Sequence, residues 1–204
     1  MLNVLKIFGI LLIKGGYMAI TEGKNNIYDP KEVNFGENVV IGHNNIFGKN
    51  VIIGNNVTIG NNNVFLDNII VGDDTQIEHF VLLKKGTRIG NNCYVDSYFR
   101  SSGDNRIGNN VTLRFGSTIA REVYVDDGVF ISPNVMTIYS KHTGERGTGT
   151  YIKNKAFIGT AAVIGPNVTI GEGVVIGANA YVSKDCLEEG IYVGVPAKKI
   201  KNER

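Results

Sequence analysis

The sequence predicts an all-β fold, a solenoid of flat three-sided coils, and two observations support this prediction. An apolar residue falls at nearly every sixth position, whereas an amphipathic helix would repeat every 3.6 residues. The chain also contains 26 glycines and many asparagines but only 4 prolines, a composition typical of a fold that turns often. Each six-residue unit is therefore predicted to form a short strand followed by a turn.

The repeat begins at Phe35 and gives each unit two inward positions. One position is bulky, as at Phe35, and the other, four residues later, is usually smaller, as at Val39. Only Ser101 and Thr137 interrupt the bulky series up to position 137. Its members are Phe35, Ile41, Phe47, Ile53, Ile59, Phe65, Val71, Ile77, Leu83, Ile89, Val95, Ile107, Leu113, Ile119, Val125 and Ile131.

Three such units close a triangle, so eighteen residues make one coil. Successive coils stack as parallel strands about 4.8 Å apart, and their bulky residues fill the interior. After the interruption at Thr137 the count resumes at Ile152 in a shifted phase. We therefore predict about eight coils within residues 35–197 and a projecting loop at 138–151. Because a flat face offers no pocket, this loop is the expected wall of a binding site.

The two ends of the chain lie outside this repeat. Residues 1–34 are predicted to form an extension with a short helix in the apolar run 2–13. That run is shorter than the roughly 20 residues that span a bilayer, and it lacks the basic leading region of a signal peptide. We expect it to pack on the protein's own oligomer or to be an upstream extension ahead of Met18, with peripheral membrane contact as the alternative. Residues 198–204 form a basic tail.

Charge and cysteine content limit the possible partners. The 21 basic and 19 acidic residues give a net charge of +2, which argues against a nucleic-acid partner. Cys93 and Cys186 lie far apart and show neither a metal-ligand spacing nor a disulfide framework. The sequence therefore favours a reducing, cytoplasmic location and no metal site.

From about residue 35 onward the chain resembles the hexapeptide-repeat acyltransferases. The segment "PNVMTIYSKH" (133–142) is similar to the catalytic segment of the maltose and galactoside O-acetyltransferases. The stretches "AFIGTAAVIGPNVTIGEGVVIGANAYVSKD" and "VGVPAKKIK" resemble the carboxy-terminal signature of the same enzymes. This resemblance implies a left-handed parallel β-helix, although parallel crossovers are otherwise right-handed. It also implies a homotrimer with active sites between subunits.

The resemblance implies that His142 is the catalytic base. A histidine, with a pKa near 6.5, can accept the proton of a hydroxyl group as its oxygen attacks a thioester. The tetrahedral intermediate also needs a hydrogen-bond donor for its oxyanion, and Thr160 is the candidate for that role. Glu145 and Tyr139 are candidates for orienting the imidazole.

The donor implied by the resemblance is acetyl-CoA, lying along the last coils. Six positions match donor contacts of the family: Thr160, Ala178, Ser183, Lys184, Lys198 and Lys201. The lysines also have a physical basis, because CoA carries phosphate groups that attract a cationic cluster. The alternative is that "AKKIK" is an ordinary solvated tail.

The interruption at Ser101 suggests acceptor contacts. Ser101 lies 36 positions before Thr137, so both breaks should fall on the same part of the prism two coils apart. The neighbouring Tyr98 and Arg100 are therefore candidates for acceptor binding beneath the loop, together with Tyr139 within it. The simpler interpretation is a local packing irregularity.

The sequence thus favours a CoA-dependent O-acetyltransferase that acts on a hydroxyl of a sugar or cell-surface polysaccharide component. Two acceptor-binding positions of the galactoside enzymes fall on Thr112 and Ala120, which cannot play the same roles, so the acceptor does not transfer from the family. The alternative enzyme is an N-acetyltransferase of a nucleotide-linked amino sugar. A zinc enzyme similar to the γ-class carbonic anhydrases would need three placed histidines, and only His43 and His79 have a fitting separation. A non-catalytic scaffold would not need both the loop histidine and the basic tail.

Overall fold

The computed structural model describes the strands at 5–7 and 10–12 and residues 20–140, 144 and 149–200. Within these residues the chain is an all-β solenoid whose coils stack through parallel strands, with antiparallel strands added at its two ends and no helix. Its strands stack into three sheets, one on each face of a triangular prism. The predicted fold class, a parallel β-helix of stacked three-sided coils, is confirmed.

The strands of the three faces, in chain order, are as follows. The first face contains Val33–Phe35, Val51–Ile53, Ile70–Val71, Arg88–Ile89, Arg106–Ile107, Val123–Val125, Thr150–Ile152 and Thr169–Ile170. The second face contains Leu5–Ile7, Ile10–Leu12, Ile20–Glu22, Val40–Ile41, Thr58–Ile59, Gln76–Ile77, Tyr94–Val95, Thr112–Leu113, Phe130–Ile131, Phe157–Ile158, Val175–Ile176, Ile191–Val193 and Lys198–Lys199. The third face contains Ile46–Phe47, Val64–Phe65, Leu82–Leu83, Arg100–Ser101, Thr118–Ile119, Met136–Thr137, Val163–Ile164 and Tyr181–Val182.

The register of the strands explains the six-residue count. On the first face Val71 pairs with Ile89, eighteen residues later, and both are buried. The preceding residues, Ile70 and Arg88, pair with each other on the outside of the same strands. Because side chains alternate across a strand, each two-residue strand sends one side chain inward and one outward.

The register also locates the inserted loop. Phe130 on the second face pairs with Phe157, which is 27 residues later instead of eighteen. The segment between Met136–Thr137 and Thr150–Ile152 is therefore nine residues longer than the repeat requires. The predicted loop limits, 138–151, are too wide, because Thr150 and Tyr151 already pair with Val123 and Tyr124 in a strand. The chain rejoins the first face at Thr150, a small residue that is buried at an inward position.

Asparagines at the corners form hydrogen-bonded ladders along the prism. Asn38 and Asn56 both have positive φ values, 56° and 55°, a conformation that asparagine tolerates better than most residues. The Asn38 side-chain amide donates to Oδ1 of Asn56 over 3.1 Å. At the neighbouring position Oδ1 of Asn55 accepts the backbone N–H of Glu37 at 2.8 Å. These bonds satisfy polar groups that the sheets leave unpaired at each corner.

The predicted interruption at Ser101 is a buried polar cluster. Ser101 is 1% exposed and points into the prism, and its Oγ lies 2.5 Å from Oγ1 of Thr87. It also donates to Oδ1 of Asn105, whose amide donates to the carbonyl oxygen of Ala120 at 2.5 Å. The break is thus an internal packing feature, as the simpler interpretation proposed.

Replacing Ser101 by valine should destabilise the protein, although the repeat alone would predict the opposite. The valine would remove a partner from both Thr87 and Asn105, and a buried polar group that loses its partner costs about 1–3 kcal/mol. The free energy of unfolding in urea measures this change. Thr118→Val is the matched control, because Thr118 is on the outer side of the adjacent strand and should change stability by less than about 0.5 kcal/mol. An equal or greater stability of Ser101→Val would contradict this account.

The predicted amino-terminal helix is wrong. Leu5–Ile7 and Ile10–Leu12 are antiparallel strands, and the second of them pairs with Ile20–Glu22. They extend the second face beyond its first coil. The physical reason is the open sheet edge, whose unpaired backbone groups are satisfied by an added strand and not by a helix. Within the described residues there is no helix of sufficient length and hydrophobicity to cross a membrane.

Candidate active site

The inserted loop leaves the prism at one edge. It follows Met136–Thr137 on the third face and returns at Thr150–Ile152 on the first face. We call the edge that joins these two faces the loop edge. His142 and Glu145 lie outside the described residues.

Both ends of the loop pack against the prism. Tyr139 is half-buried and contacts the hydrophobic core, which places it at the base of the loop. Gly149 has a φ of +114°, and a Cβ built there would lie 3.2 Å from Cε2 of Tyr124. Glycine therefore allows the backbone to pass close to the Tyr124 and Tyr151 rings. This contact fixes where the loop rejoins the first face.

Two of the predicted donor contacts are neighbours on a different edge. Thr160 and Ala178 lie between the second and third faces, eighteen residues apart, and both are exposed. The backbone N–H of Asn179 donates to the carbonyl oxygen of Thr160 at 2.9 Å, which holds the two turns together. Gly159 has no space for a side chain, because a Cβ there would lie 2.6 Å from the amide nitrogen of Ala178. We call this edge the Thr160 edge.

Ser183 and Lys184 lie on the loop edge, after the strand Tyr181–Val182. Both are exposed. Met136 pairs with Val163, which pairs with Tyr181, so these residues are two coils beyond the base of the loop. With strands about 4.8 Å apart, the separation along the prism is about 9.6 Å. Within one chain, the third face separates them from the Thr160 edge.

The basic tail folds back on the end of the prism. Lys198–Lys199 is a strand antiparallel to Ile191–Val193 on the second face. Lys198 is exposed, whereas Nζ of Lys199 forms an ion pair with Glu188 at 3.0 Å. Lys201 lies outside the described residues. The structure thus makes Lys198, and not its neighbour, the available cation of this strand.

The candidate acceptor residues differ in position. Tyr98 lies on the Thr160 edge, where its ring stacks on Phe80 at 5.0 Å and contacts Phe115 edge-to-face at 5.4 Å. Its ring is therefore part of an external aromatic ladder and is not directed toward the loop edge. Arg100 is exposed on the third face, in the column that continues through Thr118 to Met136 at the base of the loop. Of the two, only Arg100 lies beneath the loop.

The histidines outside the loop serve the corner ladders. Nδ1 of His43 accepts the backbone N–H of Lys24 at 2.8 Å, and Nδ1 of His79 accepts that of Asn61 at 2.8 Å. They thus take the role that asparagines have at equivalent corners. Among residues 20–140, 144 and 149–200, no three histidine, cysteine or carboxylate side chains form a group that would hold a metal ion.

The two cysteines are interior packing residues. Both are buried and unpaired. Burial raises the pKa of the Cys93 thiol above its ordinary value, and burial, followed by the charge of Asp185, raises the pKa of the Cys186 thiol. A raised pKa lowers the fraction of reactive thiolate, so neither residue is suited to nucleophilic catalysis.

Sequence analysis missed a column of outward residues on the first face. Arg88, Arg106, Tyr124 and Tyr151 pair in succession on adjacent strands, and Tyr151 directly follows the loop. Open depressions of about 540 and 620 Å³ flank the two arginines. The eighteen-residue spacing of Arg88 and Arg106 was the available signal, because it places them on adjacent coils of the same face.

Comparison with known proteins identifies the repeat. Residues 32–67 and 149–184 match the bacterial transferase hexapeptide (six repeats) family. No curated protein matches the sequence at a significant level.

Several solved structures share this fold. A mutant of AntD, an N-acyltransferase from Bacillus cereus, in complex with dTDP and coenzyme A is 27% identical; the match covers 64% of this chain and 82% of that chain, with a TM-score of 0.58. The UDP-N-acetylglucosamine O-acyltransferase of Moraxella catarrhalis is 21% identical over 88% of this chain and 73% of its own, with a TM-score of 0.79. A mutant of perosamine N-acetyltransferase from Caulobacter crescentus, in complex with CoA and GDP-perosamine, is 22% identical over 65% and 58%, with a TM-score of 0.55. The last two are similar in fold alone.

Proposed function

We propose that this protein, a hexapeptide-repeat acyltransferase, transfers an acetyl group from acetyl-CoA to a hydroxyl group of a sugar or of a cell-surface polysaccharide component. The observation that carries the proposal is the nine-residue insertion between Phe130 and Phe157, which contains His142 and is the largest departure from the eighteen-residue register among the described strand pairs. A scaffold protein would have no need of this insertion.

The proposed chemistry requires only a base and an oxyanion donor. The acceptor oxygen attacks the thioester carbonyl carbon as His142 takes the hydroxyl proton. Thr160 donates a hydrogen bond to the resulting oxyanion. Collapse of the intermediate breaks the carbon–sulfur bond, and the imidazolium returns its proton to the CoA thiolate. The products are the acetyl ester and free CoA.

The two edges favour an active site made by two copies of the chain. The His142 loop and Lys184 belong to the loop edge, whereas Thr160 and Ala178 lie across the third face. A neighbouring copy that presents its Thr160 edge to the loop edge would complete the site, and a cyclic trimer would form three such clefts. Sedimentation equilibrium should then give three times the chain mass of 22.2 kDa. A monomer that retains full activity would contradict this arrangement.

The donor is proposed to lie in this cleft beside the last coils. The AntD and perosamine N-acetyltransferase structures contain coenzyme A, which supports a CoA-based donor. The phosphate groups of the donor would be attracted by Lys184, Lys198 and Lys201. Ser183 would line the loop edge beside Lys184. Thr160 and Ala178 allow a close approach to the strands, because neither carries a long side chain.

The second candidate function is N-acetylation of a nucleotide-linked amino sugar. The observation that favours it is the 27% identity to AntD, which is an N-acyltransferase. The cytoplasm remains the proposed location, with peripheral membrane contact through residues 2–13 as an additional proposal. Cell fractionation would test both, because a contact made by an apolar run keeps the protein in the membrane fraction at high salt, whereas deletion of residues 2–13 would move it to the soluble fraction.

Turnover of acetyl-CoA tests the proposed function. Free thiol release should depend on an added acceptor when sugars, amino sugars and nucleotide sugars are compared, and the acetylated product should be an ester. Exclusive formation of amides would establish the second candidate in its place. Failure to bind CoA in calorimetry, or thiol release with no acetylated product, would overturn both.

A further inference from the structure

The column of outward residues on the first face leads directly to the loop. Arg88 pairs with Arg106, Arg106 with Tyr124, and Tyr124 with Tyr151. The Tyr124 and Tyr151 rings stack at 5.1 Å, beside the point where Gly149 rejoins the prism. Arg106 is therefore two strands, about 9.6 Å along the prism, from the strand that follows the loop.

The two arginines form an uncompensated pair of positive charges. They are exposed and directly opposite each other on adjacent strands, an arrangement of like charges that is unfavourable. Within the described part of the chain, neither guanidinium has an ion pair or hydrogen bond. By contrast, Arg114 pairs with Asp96 at 3.3 Å and Arg121 with Asp104 at 3.7 Å. The charge balance at Arg88 and Arg106 is thus incomplete without an anion.

The nearby carboxylates do not supply this anion. Asp104 is engaged by Arg121, and Asp126 forms an ion pair with Lys153 at 3.3 Å. Asp127 accepts the backbone N–H of Asn109 at 2.7 Å, as part of a corner ladder. The acidic groups that border the pair therefore have other partners.

The surface around the pair has room for a ligand. Both arginines line a depression of about 540 Å³ that extends to Asn109 and Asn154. They also line a second depression of about 620 Å³, on their other side, that extends to Tyr124. A small anion placed between the guanidinium groups would be reached from both depressions. Arginine side chains hold phosphate oxygens through paired N–H donors, which makes phosphate the best chemical match.

We propose that Arg88 and Arg106 bind a phosphate group of the acceptor, so that the acceptor is a phosphate-bearing saccharide; this inference rests on the proposed function. The phosphate lies on the arginine pair, and the sugar extends along Tyr124 toward the loop. The acceptor and the donor then approach the loop from opposite ends of the prism. The donor candidates Ser183 and Lys184 are on coils beyond the loop, whereas the arginines are on coils before it.

Binding of inorganic pyrophosphate to the full chain tests the site without any turnover. Isothermal titration calorimetry at low salt should show that Arg88→Gln/Arg106→Gln weakens binding at least tenfold. The matched control is Lys24→Gln/Lys31→Gln, which removes the same charge from exposed positions near the first coil. It should retain the wild-type affinity. Equal affinities in all three proteins, or equal losses in both variants, would overturn the proposal.

Acceptor kinetics separate this proposal from the proposed function. The arginine variant should raise KM at least tenfold for a sugar 1-phosphate and for a nucleoside diphosphate sugar, and leave KM for acetyl-CoA unchanged. A raised KM for both acceptors identifies the phosphate that they share as the bound group. A larger increase in KM for the nucleoside diphosphate sugar would show that its additional phosphate also binds the arginine pair. A raised KM for acetyl-CoA would overturn the proposal in favour of donor binding. Loss of the oligomer in sedimentation would overturn it in favour of a subunit contact.

If the wild-type protein transfers no acetyl group, the proposed function fails, and pyrophosphate calorimetry still reports on the arginine pair. If the wild-type protein transfers the acetyl group to unphosphorylated sugars as well as to phosphorylated ones, and the arginine variant does the same, the proposed function survives and this inference fails. The two failures are thus distinguishable.

Discussion

Replacing His142 by alanine should lower kcat for acetyl transfer by about 10² to 10⁴-fold, because a positioned general base contributes rate enhancements of that size. A hydroxyl acceptor needs the base, since an alcohol oxygen is a weak nucleophile until its proton is removed. Thiol release at saturating acetyl-CoA and acceptor measures the effect. CoA affinity should change little, because the imidazole acts on the acceptor and not on the CoA phosphates.

The matched control for this prediction is His79→Asn. Nδ1 of His79 accepts the backbone N–H of Asn61, and an asparagine oxygen fills that role at equivalent corners, as Asn55 does for Glu37. The control should therefore keep both stability and activity. A small loss in His142→Ala, comparable with that of the control, would remove the histidine from the mechanism and favour an amine acceptor.

Replacing Phe65 by alanine should lower the free energy of unfolding by about 3–5 kcal/mol. Phe65 is fully buried and its ring stacks on that of Phe47 with centroids 4.9 Å apart. The truncation removes apolar contacts and leaves a cavity that the coils above and below cannot close, because their backbones are held by the sheet ladders. Unfolding in urea, followed by circular dichroism, measures the change.

Leu66→Ala is the matched control for this core substitution. Leu66 adjoins Phe65 in the chain but is 40% exposed, so its truncation should change stability by less than about 0.5 kcal/mol. Because each coil contacts only its neighbours, the loss at Phe65 should also appear as earlier unfolding of the amino-terminal coils. Equal effects of the two substitutions would contradict the assignment of the inward and outward positions.

The regular part of the fold was predictable because one physical rule governs it. Every unit must bury one side chain per strand, so positions such as Ile77 and Leu113 follow from counting alone. The amino-terminal strands were not predictable in this way, since the apolar composition of residues 2–13 is compatible with a helix as well as with a strand. The strand Ile10–Leu12 depends on the open edge at Ile20–Glu22, which exists only once the prism has formed.

The candidate site was predictable in part, for a related reason. Counting showed where the register breaks, and hence where the His142 loop must leave the prism. It did not assign Thr160 and Ser183 to different edges, because the resemblance supplied them as a single set of donor contacts. The Arg88 and Arg106 pair could not be predicted from the repeat, because the repeat constrains the buried Ile89 and Ile107. It places no constraint on the outward residue before each isoleucine.

The most direct test of the account is a crystal structure of the protein with CoA and the distance from the His142 imidazole to the CoA sulfur. We expect an oligomer in which CoA lies between the loop edge of one copy and the Thr160 edge of the next, with the imidazole hydrogen-bonded to an acceptor hydroxyl that also contacts the thioester end of CoA. An imidazole that faces bulk solvent, far from CoA and from every cleft between copies, would contradict it.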